Sequence, residues 1–491
     1  MPSKGSDPFC HGLILWSRSL VPEFVPSSEN ESDALSVWDA VSLIVGIVIG
    51  STVFKMSGTI FANVPDPWTG LGIWALCGGL SFVGALCYAE LATTYPRLGG
   101  EYNYLTRAFG SWVGFLFGWS QLAIIQTGSI GALSYVFAEY AVRVFGAPES
   151  MIVWFALGAV VGLTGLNCLG IRSGKCTQNL LTIAKALGLI MLIVGGLSVT
   201  GTTSMEVVKP IEKDGWPLAM ILVLYAYGGW NDAAFVAADV RDRKRNIPRA
   251  LFLGIGAITA CYLLVNAAYL TTLGFEGLRA SRQPAGDAMA KVFGQAGERA
   301  ISVLVMVSAL GSVSGLIFSV ARLHATVGAD HPAFGLLGRW SAWSRAPVWS
   351  LLVQGTIAGL MIVCVGTDAG RNSVDALLAI FRANPVPWGK YYGGFETLYA
   401  ASAPIFWLFF LATGIACFVL RIKDKQIERP FRSPLFPLCP VLFCGMSLFG
   451  LYSATMYALP LLPLIAVPFL SGIPLYLVSQ RFLIKRQAGT E

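Results

Sequence analysis

Apolar residues recur along this chain in blocks too long for strands and too continuous for the faces of surface helices. From residue 37 to residue 483 the blocks follow one another with no long polar domain between them. A helix of about 20 mostly apolar residues crosses a hydrocarbon core. The pattern predicts twelve such spans: 37–61, 70–94, 112–142, 150–170, 176–200, 216–240, 249–274, 299–326, 347–366, 397–420, 436–458 and 460–481. The third is longer than a crossing needs and is expected to tilt. Little more than Leu459 and Pro460 parts the last two, which suits a tight hairpin. Residues 1–34 and 484–491 form polar tails flanking a membrane domain of 35–483. The connection 367–396 is long, amphipathic over Val374–Phe381, then rich in Gly and aromatics (Trp388, Tyr391, Tyr392). It reads either as a helix lying in the interface or as a tolerated loop.

Two spans carry glycine where a helix should be firm. The first reads Gly46-Ile-Val-Ile-Gly50-Ser51-Thr52, and the sixth reads Tyr225-Ala226-Tyr-Gly228-Gly-Trp-Asn231. Glycine weakens a helix by about 1 kcal/mol relative to alanine. Inside a bilayer, opened backbone groups find no water, so an interruption is tolerated only where it lines a protein cavity. A broken helix suits a zwitterionic solute. One half-helix points free N–H groups at a carboxylate, and another points carbonyls at an ammonium. Either glycine cluster alone could equally mark close helix packing. Their matching places, five spans apart, favour a binding site between two repeats. Five is odd, so the second repeat (about 216–420) must be inverted relative to the first (about 35–200), leaving 436–481 as two extra helices.

Composition agrees with a membrane protein. Of the 491 residues, 55% are hydrophobic and 12% are charged, about half the usual charged fraction of a soluble domain. The net charge is +7. The even-to-odd connections and C-terminal tail hold roughly twice the Lys and Arg of the odd-to-even connections. That predicts two cytoplasmic termini and explains the excess charge without nucleic acid. The ten cysteines are scattered and the histidines number three, so no disulfide framework, zinc site or other metal site is expected. No cofactor motif and no nucleophile–base motif appears, so an enzyme is not expected.

Charges within the spans are the remaining signal, because each is costly at depth and normally faces a cavity or a partner. Lys185 lies in the middle of the fifth span and is the candidate for proton coupling. Asp232 follows the glycines of the sixth, facing either a cationic solute or a vestibule, and Lys55 is a candidate partner for it. Glu90, Arg97 and Glu101 flank the second connection and are candidates for gating salt bridges. Gln126 and Ser129 are candidate cavity walls, and Trp407 either borders the cavity or packs against helix 1 or 6.

Several segments together resemble the amino acid–polyamine–organocation superfamily, and most closely its L-type amino acid transporter branch. They are Gly46 to Phe54, Tyr88 to Tyr102 (Tyr-Ala-Glu90-Leu … Pro96-Arg97-Leu-Gly99-Gly100-Glu101-Tyr102), Tyr225 to Asn231, Arg245-Asn-Ile-Pro-Arg-Ala250, and Glu428-Arg429-Pro430-Phe431. The resemblance covers roughly 35–485. It implies an all-α, LeuT-like five-plus-five inverted repeat with discontinuous helices 1 and 6 and two C-terminal helices. It also implies alternating access, by amino acid exchange or proton coupling. The substrate carboxylate would meet Gly50, Ser51 and Thr52. The ammonium would meet carbonyls of Ile47, Tyr225, Ala226 and Gly228, with Tyr225 as aromatic gate. Lys185 would tether the fifth helix to the first break in place of a bound sodium. Thr52 replaces the family's usual third glycine, and the acidic pair after helix 6 is reduced to Asp239. Eukaryotic L-type relatives often link a heavy chain through a cysteine between helices 3 and 4. Val144–Glu149 has none, so no disulfide-linked heavy chain is expected, and the partners are the amino acid and membrane lipid. The alternatives are transport of a polyamine or similar amine on the same fold, and a non-transporting sensor.

Overall fold

The computed structural model of the chain describes residues 35–49, 52–97, 99–198, 215–232, 240–281, 283–380, 382–390 and 394–488. The described residues are helical apart from turns and one isolated bridge between Leu35 and Val240. Helices α1 (Val37–Val48), α2 (Thr52–Lys55) and α3 (Ser57–Ala62) build the first predicted span. α4 (Pro67–Thr94) is the second. α5 (Glu101–Phe109) crosses the connection to α6 (Ser111–Ser120) and α7 (Gln126–Phe145), which a wide π-type turn (Gln121–Ile125) joins into one long third span. Then follow α8 (Ile152–Cys168), α9 (Ile171–Leu197), α10 (Gly215–Ala226), α11 (Arg243–Ala280), α12 (Pro284–Asp330), α13 (Val348–Gly366), α14 (Asp368–Ile380), α15 (Gly394–Lys423), α16 (Leu438–Tyr457) and α17 (Leu462–Ala488).

Eleven described segments are long and apolar enough to cross a membrane. The twelfth expected span, the sixth in order, is described only as the 12-residue α10 and the turn after it. Ends are set by local chemistry. Ser36 and Asp39 close a reciprocal cap on α1, and Asp66 accepts from the N–H groups of Trp68 and Thr69 ahead of Pro67 at the start of α4. Such caps stabilise a helix end by about 1 kcal/mol. α11 and α12 overrun the expected 249–274 and 299–326. Each kinks at a glycine with positive φ, Gly274 (73°) and Gly294 (63°), so a short extra helical piece folds over the end of each span. The expected amphipathic segment of the ninth connection is α14. Asp375 ties it to the aromatic stretch, accepting from the Val386 N–H (3.0 Å) and the Trp388 indole (2.9 Å).

The outward faces are apolar. On α9, Leu180, Ile183, Leu187, Ile190 and Val194 are exposed at alternating spacings of three and four, while Thr182, Lys185, Leu189 and Leu192 of the same helix are buried. An apolar stripe outside and polar groups inside is the order that lipid demands. The connections after the second, sixth and tenth spans meet at one end. There Arg107 pairs with Asp424, the Lys423 ammonium donates to the Arg107 carbonyl (2.8 Å), and Arg243 donates to the Pro96 carbonyl (3.3 Å). This end is the arginine-rich face.

Candidate functional site

The helical ladder opens where the sequence carries its glycine clusters. α1 ends at Val48, with Ile49 after it at ψ 75°, and α2 is described from Thr52; Gly50 and Ser51 lie outside the described residues. α10 ends at Ala226. Tyr227–Gly229 form a turn, with Gly229 at φ 103°, and Trp230–Asp232 make a single tight turn. The two openings touch: a Cβ on Gly229 would lie 2.7 Å from Ile47 Cγ2.

Opened carbonyls in a water-free core cost several kcal/mol each unless partners replace the lost bonds. Here side chains do so. The Lys185 ammonium donates to the Gly46 carbonyl (2.6 Å) and lies 3.2 Å from the Ser312 hydroxyl, which itself donates to Gly46 (3.1 Å). Ser308 donates to the Ile49 carbonyl (3.3 Å). The Tyr262 hydroxyl, from the middle of α11, lies 2.8 Å from the carbonyl of Val48 in the first opening and 2.8 Å from that of Ala226 in the second. Thr52 also hydrogen-bonds to this hydroxyl. A phenol has one proton, so Tyr262 satisfies one carbonyl at a time and leaves the other available.

The aromatic and polar walls follow. Tyr225 packs against Tyr399 of α15 and hydrogen-bonds with Ser129 of α7. Gln126, one turn before Ser129 and directly after the π-type turn, donates to the Asp232 carboxylate (3.1 Å). Of the remaining carbonyls named from the sequence, that of Tyr225 accepts the Gly228 N–H within the turn (2.7 Å).

Other residues stand elsewhere than expected. Trp407 does not border the openings: its ring packs on Phe406, Phe410 and the bare backbone of Gly450 on α16. A large ring meeting a glycine on the neighbouring helix is a packing arrangement. Lys55 does not pair with Asp232. It bridges Glu139 of α7 (2.9 Å) and Glu396 of α15 (3.3 Å), with the Phe395 ring beneath it. Glu90 does not pair with Arg97. Arg421 and Arg429 grip it (2.8 and 3.2 Å), and the Ser433 N–H donates to it (2.8 Å). Glu101 accepts from the Tyr88 hydroxyl and from Asn231. Asp239 lies outside the described residues. Tyr262, Ser308 and Ser312 were not singled out by the sequence. The serines recur at i and i+4 in Ser308-Ala-Leu-Gly-Ser312, a small polar stripe on an apolar helix. Tyr262 has no such signal.

Whole-chain comparison gives the family of a chain with two such openings. The family description "amino acid permease" matches residues 35–474. The chain belongs to the amino acid permease family. Among this permease's relatives, the b(0,+)-type amino acid transporter 1 of Homo sapiens is 29% identical over 439 residues, spanning 86% of this chain and 83% of its own. The serine/threonine exchanger SteT of Bacillus subtilis is 28% identical over 441 residues, spanning 89% of this chain and 94% of its own. The cystine/glutamate transporter of Homo sapiens is 28% identical over 454 residues, spanning 89% and 83%. This permease is thus a multi-pass membrane protein of the L-type-like kind within the amino acid–polyamine–organocation superfamily.

Proposed function

We propose that this permease moves amino acids across a membrane by exchange, through alternating access. Its frame is a LeuT-like pair of inverted five-helix repeats, about 35–200 and 216–420, followed by α16 and α17 as the last two of twelve spans. The observation that carries the reading is the Tyr262 hydroxyl at 2.8 Å from one opened carbonyl on each repeat. An amino acid seated between the openings supplies both charges that such a place recognises. Its ammonium takes the carbonyl that Tyr262 does not serve, among those of Val48, Ala226 and their neighbours Ile47 and Gly228. Its carboxylate takes the N–H groups at the start of α2, around Gly50, Ser51 and Thr52. Thr52, engaged with Tyr262, couples the two ends of the ligand. Tyr225, braced by Tyr399 and Ser129, closes over the side chain. Binding therefore changes which carbonyl Tyr262 serves, and so changes how tightly the two repeats are joined.

Lys185 is assigned the place of a fixed cation at the first opening, which removes the need for bound sodium. Gln126 already engages Asp232, which favours an amino acid over a diamine as the solute. The arginine-rich face is assigned to the cytoplasm, by the charge asymmetry of the connections, with Glu90, Arg97, Glu101 and Asp239 on that side.

The test is counter-exchange. Protein in liposomes preloaded with one labelled amino acid should release it when unlabelled amino acid is added outside, and Tyr262→Phe should slow this by about tenfold or more. Unchanged release by the variant would remove Tyr262 from the site. Failure of the wild type across the full amino acid panel would reject the function.

A further inference from the structure

Between the openings and the arginine-rich face lie two carboxyl groups that the site above does not use. Glu101, in α5, is 2% exposed, and Asp232, in the turn after α10, is 2% exposed. Among the described residues no Lys or Arg lies within ion-pair distance of either: Arg421 and Arg429 are held by Glu90, and Lys55 by Glu139 and Glu396. The groups that do face the pair are neutral donors and further acids. Tyr88 of α4 donates to Glu101, Asn231 bonds to Glu101 and to Asp232 (3.4 Å), and Gln126 of α7 donates to Asp232. Tyr104 of α5 stands beside Glu101, with Cys417 of α15 behind it. The two carboxyls sense each other. Two buried carboxyl groups joined to one Asn231 side chain, with no cation at ion-pair distance among the described residues, do not both stay ionised.

Two independent features stand beside this pair. The Asn231 side-chain oxygen, on a residue 3% exposed, has no hydrogen-bond partner. And a small cavity, open in part to solvent, is lined by Ala40, Leu43, Ala92 and Ile247 together with Tyr88 and Asn231. The last two are the side chains that bond to Glu101.

We propose that Glu101 and Asp232 form a proton-binding pair, loaded from the arginine-rich side through the cavity that Tyr88 and Asn231 help to line. The site holds one proton on the two carboxyls, with Tyr88 and Asn231 as the neutral donors that hold them. Protonated, the pair lets α5 and the turn Trp230–Asp232 pack together, closing that side. Deprotonated, the two charges repel and loosen it. Burial pushes the Glu101 carboxyl up to about 8, which places the change within reach of cellular pH. This inference rests on the transport reading for its consequence, a pH-dependent exchange rate, but not for the existence of the site.

The test has two arms. Infrared difference spectra of the purified wild type, taken between about pH 6 and about pH 10, should show a protonated-carboxyl band that disappears as pH rises. Glu101→Gln should abolish it and Asp232→Asn should move its midpoint. In liposomes, wild-type exchange should change about tenfold over the same range, and that of Glu101→Gln less than about twofold. Absence of the band in the wild type, or its persistence unshifted in both variants, overturns the proposal. Should Glu101→Gln fail to fold, the wild-type band and its response to Asp232→Asn decide alone. A titrating band in a protein that exchanges no amino acid leaves the proton site standing and removes the transport reading.

Discussion

Tyr262 shares one proton between the carbonyls of Val48 and Ala226. Tyr262→Phe leaves both without that donor. Leaving a buried acceptor unsatisfied costs about 1–3 kcal/mol, so the variant should unfold several degrees earlier and bind amino acid more weakly by about tenfold or more. A thermal-shift series with and without amino acid checks both, and an unchanged ligand-induced shift would contradict the account. Lys185→Met removes a charged donor 2.6 Å from the Gly46 carbonyl and leaves only Ser312 there. Charge-assisted bonds are the stronger kind, so exchange should fall further than in Ser312→Ala. Measuring both variants at matched expression decides the order. Lys185 was legible in the sequence because a charge within an apolar span always demands a reason. Tyr262 was not, because a tyrosine within a span is ordinary and only the third dimension brings two broken helices to its hydroxyl. For Trp407 the sequence left cavity wall and aromatic packing open, because an aromatic on a helix near the site gives no hint that its ring turns to Gly450 on α16.

The end of α1 and the turn after α10 belong to the element scale, and at the second a glycine permits the turn. Gly229 combines a left-handed φ of 103° with the contact to Ile47. Gly229→Ala therefore meets both strain and a clash, and should lose binding by about tenfold or more while α10 stays helical. Retained affinity would mean that the two openings need not touch. Both breaks were readable as glycine clusters, whereas the pieces beyond Gly274 and Gly294 were not, because their polar sequence resembles an ordinary connection. A second element-scale contact joins α5 to the end of α15 on the arginine-rich face. Burial alone would raise the Asp424 carboxyl, but hydrogen bonds from Arg107 and Tyr95 hold it below its usual value of 3.8. Its contribution is therefore present above that value and is lost as pH falls through the lower folded one. Asp424→Asn should destabilise the protein at neutral pH and differ little from wild type below about pH 3. An equal difference at both would show that the pairing carries no charge. The salt bridges of this face were only half legible. Glu90 was singled out, but its arginine partners come from residues 421 and 429, more than 300 positions on, a distance no local pattern bridges.

At the scale of the whole molecule, lipid and protein interior divide the chain. Apolar stripes such as Leu180–Val194 on α9 face outward, while ion pairs such as Arg107–Asp424 and Arg421–Glu90 lie at the arginine-rich end. The arginine-rich face carries Glu101, whose carboxyl rises from 4.5 to about 8 through burial. Between those values the folded protein holds a proton that the unfolded chain releases, so stability falls as pH rises through that window. Glu101→Gln should flatten this slope in thermal unfolding, and a slope unchanged by the substitution would place its origin elsewhere. The all-helical, membrane-crossing character was legible because span length follows from the bilayer itself. The pairing of elements across the molecule was not, since it depends on contacts between distant residues. The most direct measurement of the central claim is amino acid counter-exchange in liposomes holding the folded wild-type protein. The account predicts that release of a preloaded, labelled amino acid is driven by at least one unlabelled amino acid outside and is nearly silent without it. Release that ignores external amino acid, or no release with any member of the panel, would contradict it.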